Sequence, residues 1–348
     1  LAETNLEFPG AAQVPELVLP RPDDFHVHLR QEPELALYAR RQALGFGRAL
    51  VMPNTLPPIA DAAALSAYRQ GILDSLESGR SFSPLMSFKI LPGMDARVVE
   101  ECAAAGAVAG KYYPSGSTTH AADGPRNPAE VASALDAMQD AGMVLSIHGE
   151  LPEAPALERE RAFLPVLESL LERWPRLRIV LEHLSSAEAV DFVLSGPERL
   201  AASITAHHLL FSIDDLLGGG LNPHLFCKPV LKTANDRARL REAVFSGSPK
   251  FFFGSDSAPH PRVAKESARA PGGIYSAPTA LPALVGLFEA EMALPALFPF
   301  LSGNGARFYG LPAPEGFVRL VRQPWTVPAE IDGVVPMCAG QTLDWQLS

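Results

Sequence analysis

Hydrophobic residues along this chain gather into short blocks separated by longer amphipathic stretches. Eight blocks stand out: Asp23–His28, Ala49–Asn54, Leu85–Leu91, Ala107–Tyr113, Val144–His148, Arg178–His183, Ala201–Ala206 and Lys250–Asp256. Blocks this short and this apolar read as strands covered on both faces, as in parallel sheets. Between most of them run alanine- and leucine-rich segments such as Pro128–Ala141 and Leu157–Trp174, which read as amphipathic helices with a polar outer face. Eight strands alternating with helices predict a TIM-type (β/α)8 barrel, its core spanning about residues 19–310. Ala277–Leu301 reads as helical, and the tail from about 311 to 348, rich in Pro, Val and Trp, predicts a C-terminal extension with a few added strands.

Composition narrows the picture further. A chain of 348 residues that is 47% hydrophobic and 20% charged can bury a large core, and its 33 prolines are dispersed at element boundaries without forming a linker, so we read residues 1–348 as one barrel domain. A net charge of -10 argues against a nucleic-acid partner, which needs a concentrated basic surface. The opening LAETNLEFPG has no basic segment followed by an apolar run, and no stretch approaches the roughly 18 apolar residues of a membrane span. Cys102, Cys227 and Cys338 lie far apart without paired spacing, which points to neither a disulfide framework nor a cysteine zinc site and fits a reducing cytoplasm.

The chemistry lies at the block ends. The C-terminal rim of a parallel barrel gathers residues from distant parts of the chain around one cavity. His26 and His28 alternate on the first strand and so share a face. Taken alone they read more readily as two hydrogen-bonded structural histidines than as metal ligands. The fifth and sixth blocks, however, end in His148 and His183, and the eighth ends in Asp256. Four histidines and a carboxylate on one rim are hard to explain as packing, because buried polar groups destabilise unless they are satisfied, and metal binding becomes the better reading. Lys111 ends the fourth block inside the same ring. Alone it reads as a lysine that reaches solvent or pairs with Glu150; desolvated near positive charge, it loses its proton and its neutral amine can add carbon dioxide, giving a carbamate able to bridge two metals.

Together these segments resemble the class II dihydroorotases of the amidohydrolase superfamily. The resemblance rests on Asp24-Phe25-His26-Val27-His28-Leu29-Arg30, Met52-Pro53-Asn54-Thr55, Lys111-Tyr112-Tyr113-Pro114, His148-Gly149-Glu150, Glu182-His183 and Gly254-Ser255-Asp256-Ser257-Ala258-Pro259-His260, in that order. Ala277-Pro278-Thr279-Ala280 and Asn304-Gly305-Ala306-Arg307-Phe308-Tyr309-Gly310 extend it outside the metal site, and it runs from about Leu19 to the C-terminus.

The resemblance implies reversible hydrolysis of dihydroorotate to N-carbamoyl-L-aspartate in pyrimidine biosynthesis. It assigns His26, His28 and Asp256 to one divalent metal, His148 and His183 to a second, and a carboxylated Lys111 as the bridge between them. Zinc suits such nitrogen and oxygen ligands. Asp256 serves as general base and then general acid. Arg30, Asn54 and His260 are assigned to the substrate carboxylate, Thr118 and Thr119 to a mobile loop over the substrate, and the backbone near Lys228 and Gly272 to the pyrimidine ring edge. A homodimer is also implied. His120, His207, His208 and His224 have no defensible partner set and read as structural or surface residues, with His208 the strongest exception.

Two departures from the family pattern stand out: Gln31-Glu32 replaces the common Asp-Gly, which predicts a re-shaped loop, and Ser267–Gly273 replaces a cysteine-rich segment found in some members. Two rival readings remain. A dihydropyrimidinase or hydantoinase shares the binuclear site but acts on substrates without the ring carboxylate that Arg30 serves. A catalytically dead scaffold need not retain all six metal-site residues.

Overall fold

The computed structural model describes residues 15–79 and 81–348. Its strands are β1 (Glu16–Pro20), β2 (Asp23–Val27), β3 (Arg48–Val51), β4 (Ser83–Lys89), β5 (Ala107–Tyr112), β6 (Val144–Ile147), β7 (Arg178–Leu181), β8 (Leu200–Ile204), β9 (Phe251–Phe253), β10 (Phe317–Thr326) and β11 (Thr342–Leu347). Strands β2 to β9 form one parallel sheet in sequence order, with helices in the intervening segments. Its two edges meet through a parallel bridge between Val27 and Ser257, with His28 N–H donating to Ser257 C=O at 3.1 Å and Asp256 N–H to His26 C=O at 2.8 Å. The expected (β/α)8 barrel is present, and its seam joins the two strand ends that carry His26, His28 and Asp256.

Inside the barrel, strand periodicity separates a dry layer from a reactive one. Leu50, Ala109, Val144, Val180, Ala201 and Phe252 form a buried cluster near the strand starts. Two residues further along each strand, on the same face, stand Met52, Lys111, Ser146, Glu182, Ser203 and Gly254. Only the lower layer is wholly apolar. It is closed from beneath by the helix Asn304–Tyr309, whose Tyr309 ring stacks on Phe25 with centroids 5.0 Å apart. Gly305 makes that approach possible: a Cβ there would lie 2.2 Å from the Phe25 ring.

The outer faces of the strands pack against helices whose ends carry their own stop signals. Asp61 caps Ala62–Asp74 by accepting from Ala64 N–H at 2.8 Å, and Thr233 with Asp236 forms a capping box at Ala234–Phe245. The expected helix Leu157–Trp174 is found at Arg159–Arg173, while Pro128–Ala141 begins as a 3-10 turn before Ala132–Asp140. Ala277–Leu301 resolves into Ala280–Ala290, Leu294–Phe298 and a π-helical turn, broken first where Met292 turns left-handed at a φ of 55° and again at Pro299, which lacks a backbone donor.

The tail supplies the expected extra strands, but they pair with a strand from before the barrel. An antiparallel sheet in the order β1-β10-β11 ties Glu16–Pro20 to Phe317–Val321. Cys102, Cys227 and Cys338 are buried and unpaired. Among the described residues no helix is long and apolar enough to cross a membrane.

Candidate active site

One pocket opens at the C-terminal rim of the barrel. His26, His28, His148, His183 and Asp256 form its floor, and Arg30, Asn54 and His260 one wall. Thr118, Thr119, Lys228 and Gly272 complete the enclosure, so every residue singled out from the sequence lies on it except Lys111. Lys111 is wholly buried, and its Nζ has no hydrogen-bond partner among the described residues. It neither reaches solvent nor pairs with Glu150, which instead holds His148 Nε2 at 2.8 Å. Tyr113, whose ring centroid is 5.2 Å from Lys111 Nζ, and His120 also line the pocket. His120, read from the sequence as a structural or surface residue, therefore lines the pocket; His208 is buried outside it, held by Thr205 Oγ1 at 2.8 Å and Pro229 C=O at 3.2 Å.

Hydrogen bonds decide which imidazole nitrogen faces the centre. A carboxylate only accepts, so Glu150 keeps the proton of His148 on Nε2 and leaves the Nδ1 lone pair directed at His183 Nε2, 3.1 Å away. By the same logic Glu182, 2.9 Å from His26 Nδ1, leaves His26 Nε2 unprotonated and facing Asp256 Oδ1 at 3.5 Å. His28 Nε2 stands 3.3 Å from the same oxygen. The His26 lone pair and the Asp256 oxygen repel each other, and a cation placed between them turns that repulsion into coordination. His26, His28 and Asp256 are close enough together to hold one.

Protonation states agree with this reading. Burial lowers His148, lowers His183 well below its usual value, and brings His28 down to about 4, so these imidazoles are neutral at neutral pH. Burial alone raises the Asp256 carboxyl, but the His28 hydrogen bond and the neighbouring His26, His28 and His207 hold it well below the usual carboxylate range. Burial also brings the Lys111 ammonium down to about 8, against the pull of Glu182 and Asp256. Neutral imidazoles, an ionised carboxylate and an easily deprotonated amine are the states that metal ligation and carbamate formation require.

The backbone is strained here. Arg30, His120, His183 and Asp256 all have left-handed φ, at 62°, 55°, 43° and 41°. Non-glycine residues adopt such angles at a cost that surrounding structure must overcome, and they gather at functional sites.

No family model matches the chain. It is 45% identical to the dihydroorotase of Halorhodospira halophila across 95% of this chain and 98% of that one. The chain belongs to the dihydroorotase family. Among solved structures it is similar to the dihydroorotase of Campylobacter jejuni (TM-score 0.89, 36% identity, 99% of each chain). It is similar also to that of Saccharomyces cerevisiae in complex with 5-fluoroorotic acid (TM-score 0.90, 33% identity, 96% of this chain and 99% of that one). The L-hydantoinase of Arthrobacter aurescens, at 18% identity and a TM-score of 0.82 over 95% of this chain and 83% of that one, shares the fold. Dihydroorotase family membership makes this a metal-dependent amidohydrolase.

Behind the rim of this dihydroorotase fold lie supporting residues to which the sequence reading gave no role, though Asp24, Glu182 and Gly254 stand within its motifs. Glu182, fully buried, accepts from His26, from Ser146 Oγ at 2.5 Å and from Ser203 Oγ at 2.5 Å, which fixes the His26 ring. Asp24 accepts from His26 N–H at 3.0 Å, Ser255 N–H at 2.7 Å and Gln42 Nε2 at 2.6 Å, binding β2 to the segment that follows β9. Gly254 leaves the space His26 occupies, since a Cβ there would stand 2.9 Å from the histidine's own. Their signal in the sequence was the period of two: each of Ser146, Glu182 and Ser203 sits two residues beyond a buried apolar position.

The wall around Arg30 is organised by its donors. Arg30 Nε and Nη2 donate to Pro259 C=O at 3.1 and 2.9 Å, and Nη2 lies 3.1 Å from His260 Nε2. His260 Nε2 lies between Arg30 Nη2 and the Gly272 carbonyl, 3.3 Å away, and burial and Arg30 together push this imidazole down to about 3, keeping it neutral. The Nη1 amino group has no partner among the described residues. Tyr68 Oη donates to Arg30 C=O, and Gln31 Oε1 accepts from Leu56 N–H at 3.0 Å, tying the departing Gln31-Glu32 turn to the Asn54 loop. Asn54 Nδ2 donates to Thr119 C=O at 2.6 Å. Gly272 sits against Lys228, whose Cγ a Cβ would meet at 3.1 Å.

Proposed function

We propose that this chain catalyses the reversible hydrolysis of dihydroorotate to N-carbamoyl-L-aspartate, with two divalent cations, zinc by the ligand chemistry, in the rim pocket. The observation that carries the proposal is the meeting of four histidines, Asp256 and an unpartnered buried Lys111 beside the wall formed by Arg30, Asn54 and His260. His26, His28 and Asp256 would hold one ion, His148 and His183 the other, and Lys111, carboxylated on Nζ, both. When bound, the ions lower the pKa of a water molecule and draw charge from the carbonyl under attack.

The chain's own residues do the rest. Asp256 takes the proton from the attacking water and returns it to the departing ring nitrogen. Arg30, through Nη1, and His260 receive the ring carboxylate, joined by Asn54. Thr118 and Thr119 donate from the segment over the pocket, which excludes water, and the backbone at Lys228 and Gly272 meets the ring edge. The reverse reaction takes up a proton, so acid favours cyclisation and alkali favours hydrolysis. The family resemblance carries a homodimer with it, and three buried free thiols support a cytoplasmic location.

Loss of ultraviolet absorbance as dihydroorotate opens at alkaline pH tests the proposal. Activity should vanish on chelation and return with zinc; zinc-replete protein that leaves dihydroorotate intact would refute it.

A further inference from the structure

Lys89, the last residue of β4, has no part in the chemistry proposed above, yet it ends at the same rim and its side chain is 1% exposed. Its Nζ donates to His120 C=O at 2.7 Å and to Asp123 Oδ1 at 2.5 Å. Both acceptors belong to the segment 114–125, and no other hydrogen-bond partner of Nζ occurs among the described residues. That segment carries Thr118 and Thr119 into the pocket wall. It is folded on itself through Gly116 N–H to Ala121 C=O at 3.0 Å and Ser115 N–H to Pro125 C=O at 3.0 Å. Asn54 and Lys89 grip it at adjacent residues, through the Thr119 and His120 carbonyls.

We propose that Lys89 is a positioning residue that latches this segment closed through Asp123 and the His120 carbonyl, setting the fraction of molecules in which both threonines face the substrate. The inference rests on reading 114–125 as a cover over dihydroorotate. A latch acts on the population of the competent state: apparent affinity falls in proportion to that population, while saturating substrate still draws the cover shut. Loss of Lys89 or of the Asp123 charge therefore raises KM and spares kcat. A merely structural role would lower kcat through the active fraction and leave KM unchanged.

The experiment uses the zinc-loaded full chain, with steady-state kinetics on dihydroorotate and hydrogen exchange of the 115–124 amides, with and without saturating dihydroorotate at equilibrium. In the parent protein substrate should slow exchange across the segment. Lys89→Met and Asp123→Asn should each raise KM about ten-fold, the scale of one charge-assisted hydrogen bond, keep kcat within about two-fold and speed exchange in the free enzyme. The double variant should be no worse than Lys89→Met alone. Asp123 is 49% exposed, so its amide variant is expected to fold and carries the test if the lysine variant does not. Parent-like KM and exchange in the variants, alongside substrate-slowed exchange in the parent, would overturn the latch and leave the cover standing. Exchange in the parent that ignores substrate would overturn both.

Discussion

Arg30→Met separates recognition of the substrate carboxylate from everything else the pocket does. Arg30 spends Nε and Nη2 on Pro259 and His260, which aims the guanidinium and leaves Nη1 free for an anion. A charge-assisted contact in a site this buried is worth about 2–4 kcal/mol. Losing it should lower kcat/KM for dihydroorotate by about 30- to 1,000-fold. Methionine keeps the length and apolar stem, and the left-handed φ of 62° is no worse for it than for arginine. The assay measures ring opening of dihydroorotate and of dihydrouracil, which lacks the carboxylate, with the parent and the variant at one pH and zinc concentration. The carboxylate substrate alone should suffer, so the parent's preference should collapse by the same factor. An equal loss on both substrates would show Arg30 acting through the fold, and less than a three-fold loss on dihydroorotate would refute its assignment. The result also bears on the hydantoinase-type reading, whose substrates carry no such group.

Three further outcomes follow from the geometry. Asp256→Asn should reduce turnover by at least about 100-fold while substrate binding, followed calorimetrically in zinc-replete protein, persists, because the amide cannot carry the proton between water and ring nitrogen. Gly305→Ala should destabilise the protein by about 1–3 kcal/mol in urea unfolding, since its Cβ would overlap the Phe25 ring on which the barrel floor rests. Glu160 is buried beneath Ser185 and Ser186, and burial raises its carboxyl to about 7 against the pull of Lys232 and of those serines. The folded state therefore binds the extra proton between about 4.5 and 7, so this group's contribution is full below that window and is lost as pH rises through about 7. Thermal melts across the window should show a falling component in the parent that Glu160→Gln flattens; parallel curves would refute it.

The barrel was legible in the sequence because its strands are buried on both faces, and runs such as Phe251–Phe253 or Ile179–Leu181 cannot be mistaken for half-exposed ones. The rim chemistry was legible for a related reason: His148, His183 and Asp256 fall just beyond the ends of the fifth, sixth and eighth barrel strands, so position along a βα unit maps onto position around the cavity. Strand β1 left no such trace, since its partner Phe317–Val321 lies some three hundred residues away and antiparallel pairing at that distance has no local pattern. Nor could the sequence say which nitrogen of each histidine faces inward. That is decided by Glu182 and Glu150, which become hydrogen-bond acceptors for particular ring atoms only once the strands are side by side. Spacing likewise cannot distinguish Lys111, left without a hydrogen-bond partner by a dry barrel interior, from Lys89, which a folded-over segment supplies with two. Residue types and their periodicity determined the architecture and the ring of ligands; desolvation, tautomer and contact, which depend on atoms brought from elsewhere in the chain, were decided by the tertiary structure alone.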